Sequence, residues 1–572
     1  MPKGYLNIVL HAHLPYVRHP ESEEYIEERW LFEAISETYI PLLIYYQKLV
    51  DENVKFKITM NISSPLITML KDPLLQARYR MYLLERIRLA GKEIKRTKDN
   101  KELNDLAQMY FWQFKEFYNV YKRKYNSDLV EAFKHFQDIG VLEIIACPAT
   151  HGFLPLLYVN PSAVEAQIAV GVDTYTKAFG RPPKGMWLSE CAYIPEVEPY
   201  LRKYGIKYVF LETHGILNAN PKPIYGTLAP IVSTNGLVTF GRDNESSKQV
   251  WSSICGYPGD PNYREFYKDI GYESEWEYIK RYVSRSGHRV DTGIKYHRIT
   301  GKDCEKQLYN KDKAMSVAEM QADHFIASRI EQVNSVCNEM KIPPIITCPY
   351  DAELYGHWWY EGPYWLYVLF KKIYHNQNTI ELITPSEYLE KYPNIQEASP
   401  SISTWGAHGF NEVWLNPGND YIYRHLHSAA KRMQYLAETY QLPYPLQERA
   451  LKQCARELLL AQSSDWPFII TANTMVDYAH KRVKDHIRKI QRPCKHDRYR
   501  RHQRRISIRH RIQGSNLSRY RLQTIYLKPR KSTNVTKSRV LFFSLQFSLK
   551  YPKVWRWVII LLVATLSKWR RR

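Results

Sequence analysis

The sequence lacks the patterns that mark several common functional classes. Its eight cysteines form no CxxC pair and have no regular spacing, so a disulfide framework is excluded and a reducing compartment is expected. No GxGxxG follows the first predicted strand and no P-loop occurs anywhere, which weighs against a nucleotide-binding sheet protein. No repeat with a period of 20–50 residues is present. These absences leave chemistry that depends on individual polar side chains.

Long apolar runs are also missing. The first residues, MPKGYLNIVLHAHLPY, contain an apolar stretch that is too short for a secretory signal and is broken by His11. Near the other end, the apolar run 557–566 is only 10 residues long, whereas a membrane-spanning helix needs about 20. The sequence therefore predicts a cytoplasmic protein with no membrane span.

Acidic residues almost disappear from the last part of the chain. Residues 493–572 hold 22 Lys and Arg and one acidic residue, Asp497, whereas residues 1–492 hold 59 basic and 57 acidic residues. The net charge of +23 therefore belongs to the tail, and we expect no nucleic-acid partner for residues 1–492. The tail is predicted to be disordered or an out-of-frame translation product; a functional basic arm for RNA or anionic lipid is the alternative.

The rest of the composition is that of a folded protein. Hydrophobic residues make up 44% of the chain and charged residues 24%. A length of 572 residues exceeds what a single core accommodates, so we expect two or three domains or a barrel with insertions. The 45 Tyr and 14 Trp supply flat faces of the kind that proteins place against sugar rings, although an aromatic-rich core explains them equally well.

Short apolar or β-branched runs that end in a polar residue alternate with segments long enough for helices. The runs are 6–13, 54–61, 141–151, 184–190, 206–214 and 343–353. This alternation predicts an α/β fold with a parallel sheet, and polar residues at several strand ends converge on one face, as in barrel enzymes. An open doubly wound sheet is the alternative.

Two segments differ because they show helical periodicity and no strand pattern. Residues 70–140 read as a helical insertion between the second and third strands, and residues 420–490 read as amphipathic helices. The predicted organisation is a catalytic β/α barrel at 1–400, a C-terminal helical domain at 401–492 and the basic tail at 493–572.

Three features at predicted strand ends can carry chemistry. His11 and His13 alternate, so both imidazoles point to the same side of a strand. Glu190 and Asp351 each close a further strand. A carboxylate at the end of each of two barrel strands is what a retaining glycosidase requires, with the two groups about 5–5.5 Å apart. Each residue taken alone is more often structural, and only their joint occurrence favours catalysis.

A metal site is the alternative interpretation of the same residues. His11 and His13, together with His151, His214 and Asp351, also fit metal-dependent hydrolases of barrel type. However, the sequence has no HExxH, and the aromatic residues next to Asp351 suit a ring-stacking site better. The residues therefore favour a glycosidase site over a metal site, which stays the alternative.

Five segments resemble the five characteristic regions of glycoside hydrolase family 57, most closely those of its α-1,4-glucan branching enzyme subgroup. They are HAHLPYVRHPE (11–21), ATHGFLPLL (149–157), MWLSECAY (186–193), PYDAELYGHWWYEGP (349–363) and STWGAHGFNEVWLN (403–416). The segments at 29–43, 256–272 and 455–468 suggest the same subgroup. The resemblance covers residues 1 to about 490.

The resemblance implies an incomplete seven-stranded β/α barrel with a helical insertion and a C-terminal helical domain, acting on an α-glucan such as amylose without a cofactor. Glu190 would be the nucleophile and Asp351 the general acid/base. The residues that would hydrogen-bond the sugar in the cleavage subsite are His11, His13 and His151. Those that would form glucan-binding walls are Trp30, Arg264, Trp405 and Trp414. Asp465 would reach the site from the helical domain.

One segment departs from the pattern of the subgroup. Branching members of the family are expected to carry a tyrosine on a mobile loop between the fifth strand and the GYPG segment, and residues 237–253 contain none. Cleavage followed by transfer to a 6-hydroxyl gives a branch, whereas cleavage followed by attack of water gives hydrolysis. The predicted function is therefore glucan branching, with an α-amylase-type glucan hydrolase as the alternative.

Overall fold

The computed structural model describes residues 2–22, 26–252, 256–283, 287–301 and 304–495. These fall into two compact units. The first comprises Met1–Cys147 with Tyr175–Phe410, and the second comprises Pro148–Thr174 with the chain from Asn411 onward. This division falls at residue 410, whereas the predicted domain boundary is at residue 400, and it groups residues 148–174 with the C-terminal part of the chain. Beyond residue 495, the predicted tail lies outside the described residues.

The described residues form ten strands. They are β1 (Gly4–Ala12), β2 (Ile58–Ile62), β3 (Leu142–Ile145), β4 (Gly185–Met186), β5 (Tyr208–Leu211), β6 (Ile231–Val232), β7 (Val238–Gly241), β8 (Ile345–Asp351), β9 (Ile380–Leu382) and β10 (Gln396–Glu397). Each of the six apolar runs singled out in the sequence overlaps one of them. The mixed α/β class predicted from the alternation is confirmed.

Helices fill the segments between the strands of the first unit. They are α1 (Glu28–Ala34), α2 (Ile40–Asp51), α3 (Ser64–Leu70), α4 (Pro73–Arg96), α5 (Lys101–Asn119), α6 (Leu129–Asp138), α7 (Leu154–Leu157), α8 (Pro161–Phe179), α9 (Glu198–Lys203), α10 (Thr213–Leu217), α11 (Asn244–Trp251), α12 (Ile270–Glu273), α13 (Trp276–Ile279), α14 (Lys311–Val336), α15 (Gly362–His375) and α16 (Pro385–Lys391). Of these, α7 and most of α8 belong to the second unit. Four helices, α3 to α6, and no strand lie between β2 and β3 in the described chain, where the sequence predicted an insertion.

The strands form two sheets with mostly parallel pairing. One sheet has the order β3-β2-β1-β8, with β9 also pairing to β1, and the other has the order β10-β6-β7-β5-β4. All pairs are parallel except β6 with β7. Isolated parallel bridges join Ala146 to Met186 and Arg242 to Thr347. The two sheets are therefore linked at two places, between β3 and β4 and between β7 and β8.

An aromatic and aliphatic core lies between the strands. Trp187, Tyr208 and Phe210 are fully buried there. Phe240 packs against Tyr208 and Phe210, with ring centroids 5.7 and 6.0 Å apart. Part of the aromatic content thus serves the core, because large rings on successive strands fill the space that small side chains would leave empty.

The second unit is helical. Its C-terminal part contains α17 (Tyr421–Thr439), α18 (Pro445–Ala461), α19 (Asp465–Thr471) and α20 (Val476–Lys495). Glu457 on α18 and His486 on α20 form a buried pair at 2.6 Å. Within the part of the chain that the structure describes, no helix is both long and apolar enough to cross a membrane.

Truncation of the central core aromatic should destabilise the first unit. Phe240→Ala removes a ring that is 1% exposed, and we expect the free energy of unfolding to fall by about 3–5 kcal/mol because a cavity remains. Urea unfolding followed by tryptophan fluorescence measures the shift in midpoint. Tyr267→Ala, at a position 83% exposed, is the control; equal shifts in both variants would contradict the assigned core.

Candidate active site

The carboxyl ends of β1 and β8 meet at one edge of the sheet. His11 near the end of β1 and Asp351 at the end of β8 are paired in parallel register. His11 is also in register with Asn61 near the end of β2. Because adjacent parallel strands end at the same edge, three polar residues that are distant in sequence become neighbours.

His11 and His13 lie on the same side of the chain, as their two-residue spacing predicts. Their ring centroids are 5.8 Å apart and the rings are inclined by 22°. His13 Nδ1 is 2.9 Å from Ser63 Oγ. On its other side, the His11 ring stacks on Trp187 at 4.6 Å. The first imidazole is thus held between a second imidazole and a buried indole.

The hydrogen bonds of Asn61 fix which nitrogen of His11 carries the proton. Asn61 Nδ2 donates to the carbonyl oxygens of Ile145 and Ala146 at 3.1 and 2.9 Å, so its Oδ1 faces His11 Nδ1 at 2.8 Å as an acceptor. Burial first, and the nearby His13 second, lower the pKa of His11 well below its ordinary value. His11 is therefore a neutral imidazole that donates from Nδ1, which makes Nε2 a hydrogen-bond acceptor.

Glu190 lies four residues after the end of β4, in a strained turn at Ser189–Cys191, and not at the last residue of the strand as the sequence predicted. Its φ of 64° and ψ of 24° lie in the left-handed region, and Cys191 follows with φ of 50°. Two consecutive non-glycine residues in this region are costly and persist only when surrounding contacts hold them. Trp405 supplies two such contacts: its backbone N–H donates to Glu190 O at 3.0 Å and its Nε1 donates to Glu190 Oε2 at 2.8 Å.

The carboxyl of Asp351 has a pKa that is raised into the neutral pH range. Burial, and next the negative charge of Glu190, raise the pKa of Asp351 to about 7, while Arg242 and His13 act in the opposite direction. Repulsion between two carboxylates and loss of solvent both favour the neutral acid. Asp351 can therefore hold a proton while Glu190, which accepts a hydrogen bond from Trp405, serves as the anion.

An ion pair that the sequence analysis missed lies next to these carboxylates. Arg242 follows β7 and Glu212 follows β5, and Arg242 donates to Glu212 Oε2 at 2.9 Å. The guanidinium also lies 5.6 Å from the ring centroid of Trp405. Both residues follow strands and are polar, so the same strand-end signal that indicated Glu190 and Asp351 was available for them.

Glu353 is a third carboxyl close to Asp351. Tyr39 donates to Glu353 Oε1 at 2.5 Å. Burial raises the pKa of Glu353 to about 7, and the charge of Asp351 contributes to the rise. Two carboxyls whose pKa values are both raised share a small region, so at neutral pH this region carries less negative charge than its composition suggests.

Two of the predicted wall residues lie elsewhere in the first unit. Trp30 is on α1 and is half-buried. The guanidinium of Arg264 lies 4.0 Å above the ring of Tyr360, and its Nη1 donates to Tyr110 Oη at 3.5 Å. Thus Trp405 is the predicted wall residue that the structure places directly on Glu190.

His151, Trp414 and Asp465 belong to the second unit. His151 Nδ1 is 2.8 Å from Ser464 Oγ, and Trp414 packs on Phe153 with ring centroids 4.8 Å apart. Asp465 begins α19 and accepts a hydrogen bond from Ser463. Within this unit, residues near 151 and 464 are neighbours.

The segment expected to carry a mobile loop is regular up to residue 252. Residues 238–241 are β7 and Asn244–Trp251 is α11, whose N-cap Asp243 accepts from the backbone of Ser246 at 2.7 Å. Asp243 also pairs with the fully buried Arg329 at 3.1 Å. A buried cation anchors the start of α11, so this part of the segment is fixed to the fold.

The predicted alternative of a metal site finds no candidate ligand group in the described residues. No set of three or more His, Cys, Asp or Glu side chains there is arranged to hold a metal ion. His214, one of the histidines considered for it, has Nε2 3.0 Å from the carbonyl oxygen of Gly409.

Two family profiles and a named relative match the sequence of this chain. Residues 7–334 match the profile described as glycosyl hydrolase family 57, and residues 425–506 match that of the C-terminal region of 1,4-alpha-glucan branching enzymes. The second match continues past the predicted end of resemblance near 490. The chain is 35% identical over 520 residues to a 1,4-alpha-glucan branching enzyme of Thermococcus kodakarensis, covering 86% of this chain and 73% of that protein.

Two solved structures also match this chain, and they are named for two different activities. The crystal structure of the Thermococcus kodakarensis branching enzyme aligns with a TM-score of 0.80 at 33% identity, covering 90% of this chain and 95% of the other. An α-amylase of Thermotoga maritima aligns with a TM-score of 0.84 at 42% identity, covering 90% and 97%. The predicted family is therefore confirmed, and the chain belongs to glycosyl hydrolase family 57.

Proposed function

We propose that this protein is a 1,4-α-glucan branching enzyme that cleaves an α-1,4 link and transfers the released chain to a 6-hydroxyl group. The observation that carries the proposal is the pair of strand-end carboxyls, in which the charge of Glu190 helps to keep Asp351 protonated near neutral pH. The names of the relatives and the match to the branching enzyme C-terminal profile supply the substrate class.

We propose that the two linked sheets form one incomplete barrel of seven parallel strands. The members would be β1, β2, β3, β4, β5, β7 and β8. Strand pairing within each sheet supports this closed order of strands. The two isolated bridges, Ala146 with Met186 and Arg242 with Thr347, join one sheet to the other. The single bridges mark where the barrel is incomplete. Such a barrel explains why polar residues at the ends of different strands gather on one face.

In the first half of the proposed reaction, Glu190 is the nucleophile and Asp351 the general acid. The carboxylate of Glu190 attacks C1 of the glucan while Asp351 gives its proton to the departing glycosidic oxygen, leaving a covalent glycosyl-enzyme. The Trp405 hydrogen bond to Oε2 of Glu190 orients the attacking carboxylate. Arg242, whose positive charge acts on Asp351, stabilises the carboxylate that Asp351 becomes after donating.

In the second half, the same residues act in reverse. Asp351, now ionised, takes the proton of a 6-hydroxyl as its oxygen attacks C1 of the glycosyl-enzyme, and Glu190 leaves. The product is an α-1,6 branch with retained configuration. His11, a neutral imidazole with Nε2 as acceptor, is suited to hold a sugar hydroxyl by accepting its proton in a hydrogen bond.

The remaining predicted substrate residues keep their proposed roles. Those in the first unit are His13, Trp30, Arg264 and Trp405; those in the second are His151, Trp414 and Asp465.

Residues 1–492 are near neutral in charge, which suits an uncharged polysaccharide. We also propose a cytoplasmic location, because none of the six described cysteines forms a disulfide bond.

A glucan hydrolase is the second candidate because a specific observation favours it. The Thermotoga maritima structure named an α-amylase is 42% identical, above the 33% of the named branching enzyme structure. The segment 237–253 also lacks the tyrosine expected of branching members. Hydrolysis and transfer share every step up to the glycosyl-enzyme, so the two differ only in whether water or a sugar hydroxyl reaches C1.

Removal of the proposed nucleophile should abolish turnover. We expect Glu190→Gln to lower the rate on amylose by at least about a thousandfold, because the amide cannot form the glycosyl-enzyme. The assay is the fall in iodine absorbance together with circular dichroism of the fold. Glu397→Gln, at an exposed site on β10, should retain full activity. Near-normal turnover by Glu190→Gln would exclude it as the nucleophile.

The protonation of Asp351 should appear in the pH dependence of both activity and stability. Because Asp351 must be protonated to act as the acid, kcat/KM should fall as pH rises through about 7. Its folded pKa is raised, so its burial weakens the fold most above that pH. Asp351→Asn should therefore raise the thermal midpoint at pH 8.5 relative to the parent, with little difference at pH 4, as differential scanning calorimetry would show.

One result would contradict the predicted titration of Asp351. An equal effect of Asp351→Asn on the thermal midpoint at both pH values would show that the carboxyl does not titrate in this interval.

The ratio of two products separates branching from hydrolysis. After incubation with amylose, new α-1,6 linkages are counted by proton NMR and new reducing ends by a copper-reducing assay. We expect linkages to exceed reducing ends. The reverse ratio would assign the chain to the hydrolases and leave the roles of Glu190 and Asp351 unchanged.

A further inference from the structure

A cavity of about 330 Å³ lies among helices of the first unit. Its walls come from α2, α5 and the first turns of α14 and α15. This volume is at the lower end of the range of small-ligand pockets, about 300–1,000 Å³. None of Glu190, Asp351, His11 or Trp405 lines it. Among the residues that line the cavity, Arg264 alone belongs to the predicted substrate-binding set, and neither catalytic carboxyl is present.

Aromatic side chains form much of the wall. Tyr45 and Tyr364 face each other with ring centroids 6.0 Å apart, and Tyr360 lies deeper beneath the Arg264 guanidinium. Trp112 is on α5 and is 60% exposed. Lys115 covers its indole with Nζ 4.4 Å from the ring centroid. A large exposed indole beside a cavity supplies the flat apolar surface on which a sugar ring can rest.

Polar groups in the wall have hydrogen-bonding capacity that the described contacts leave unused. Arg264 is 5% exposed, and its Nε has no hydrogen-bond partner among the described residues. A buried donor left in this way costs about 1–3 kcal/mol, which an oxygen of a ligand can offset. Gln113 uses its Nε2 on Tyr360 Oη at 2.9 Å, which presents its carbonyl oxygen as an acceptor.

The charge balance of the lining favours an uncharged ligand. Glu37 and Glu116 are opposed by Arg264 and Lys311, so the cavity has no net formal charge. Glu37 is held as an anion because its hydrogen bond to His357 and the nearby cations outweigh burial and lower its pKa. A phosphate or carboxylate ligand would require an excess of cations, whereas hydroxyl groups match paired donors and acceptors.

We propose that this cavity is a second, non-catalytic binding site for a segment of an α-1,4-glucan chain. Its glucose rings would rest on Trp112 and Tyr364, and their hydroxyls would bond to Arg264, Gln113 and Glu37. The inference rests on the proposed function for the identity of the polysaccharide. A second attachment point raises the local concentration of the polymer near the catalytic carboxyls without altering the chemistry there.

The test compares glucan binding by variants in a chain that cannot turn over. In the Glu190→Gln background, retardation in native gels that contain glycogen is measured for Trp112→Ala, Trp112→Phe and Tyr435→Ala. Tyr435 is a matched control because it is 64% exposed on a helix of the second unit. We expect Trp112→Ala to weaken binding about five- to tenfold, Trp112→Phe to restore most of it and Tyr435→Ala to match the parent.

The outcomes separate this inference from the proposed function. Equal retardation of Trp112→Ala and the parent, with thermal midpoints showing that both are folded, would overturn the second site. Equal loss in Tyr435→Ala would also overturn it, because the effect would not be specific to the cavity. If the unsubstituted chain neither branches nor hydrolyses amylose, the proposed function fails, while the gel comparison still decides whether the cavity holds glucan.

Discussion

The electrostatic interaction between Glu190 and Asp351 is the constraint on which the site depends. Two carboxyls in one partly buried region cannot both ionise at low cost, so one keeps its proton. Burial and the charge of Glu190 act on Asp351 in the same direction, and Arg242 prevents the shift from going so far that the acid cannot ionise after donating. An acid that must become a base within one catalytic cycle needs a pKa near the working pH.

The fold supports this interaction at a measurable cost. Glu190 and Cys191 both have positive φ, and the hydrogen bonds from Trp405 hold the turn in that conformation. His11 is fixed by Asn61 on one side and Trp187 on another. The strained residues Glu190 and Cys191 and the buried polar residues His11 and Asn61 lie near or beyond strand ends, whereas the core consists of buried aromatic and aliphatic side chains. The stability that the buried core contributes offsets the free-energy cost of the strained and buried polar residues at the site.

Much of this arrangement was predictable from local sequence. Apolar runs ending in polar residues indicated six strands and both carboxyls, because burial of a strand requires such a run and solvent or substrate meets its end. Arg242 and Glu212 obey the same rule but were missed, since each is followed by residues that look like an ordinary turn or helix start. The strained backbone of Glu190 has no signal in residue type, because φ depends on the contacts made by Trp405, 215 residues away.

The arrangement of distant segments could not be read in the same way. Residues 148–174 group with the chain after residue 410 through tertiary contacts, and the composition of neither segment indicates that grouping. The cavity beside Trp112 likewise combines residues from 36 to 364, most of which lie on helices whose periodicity specifies only which face is buried. Sequence patterns therefore predicted the catalytic carboxyls, but they did not predict the cavity that we propose binds glucan.

The most direct measurement is the capture of the covalent intermediate. The variant Asp351→Ala is incubated with α-maltosyl fluoride, whose fluoride leaves without acid assistance, and the protein is digested and analysed by mass spectrometry. We expect one maltosyl unit on the peptide that contains Glu190, because Glu190 still attacks the sugar while the missing base slows removal of the maltosyl group. A maltosyl unit on a different peptide, or turnover with inverted configuration and no adduct, would contradict it.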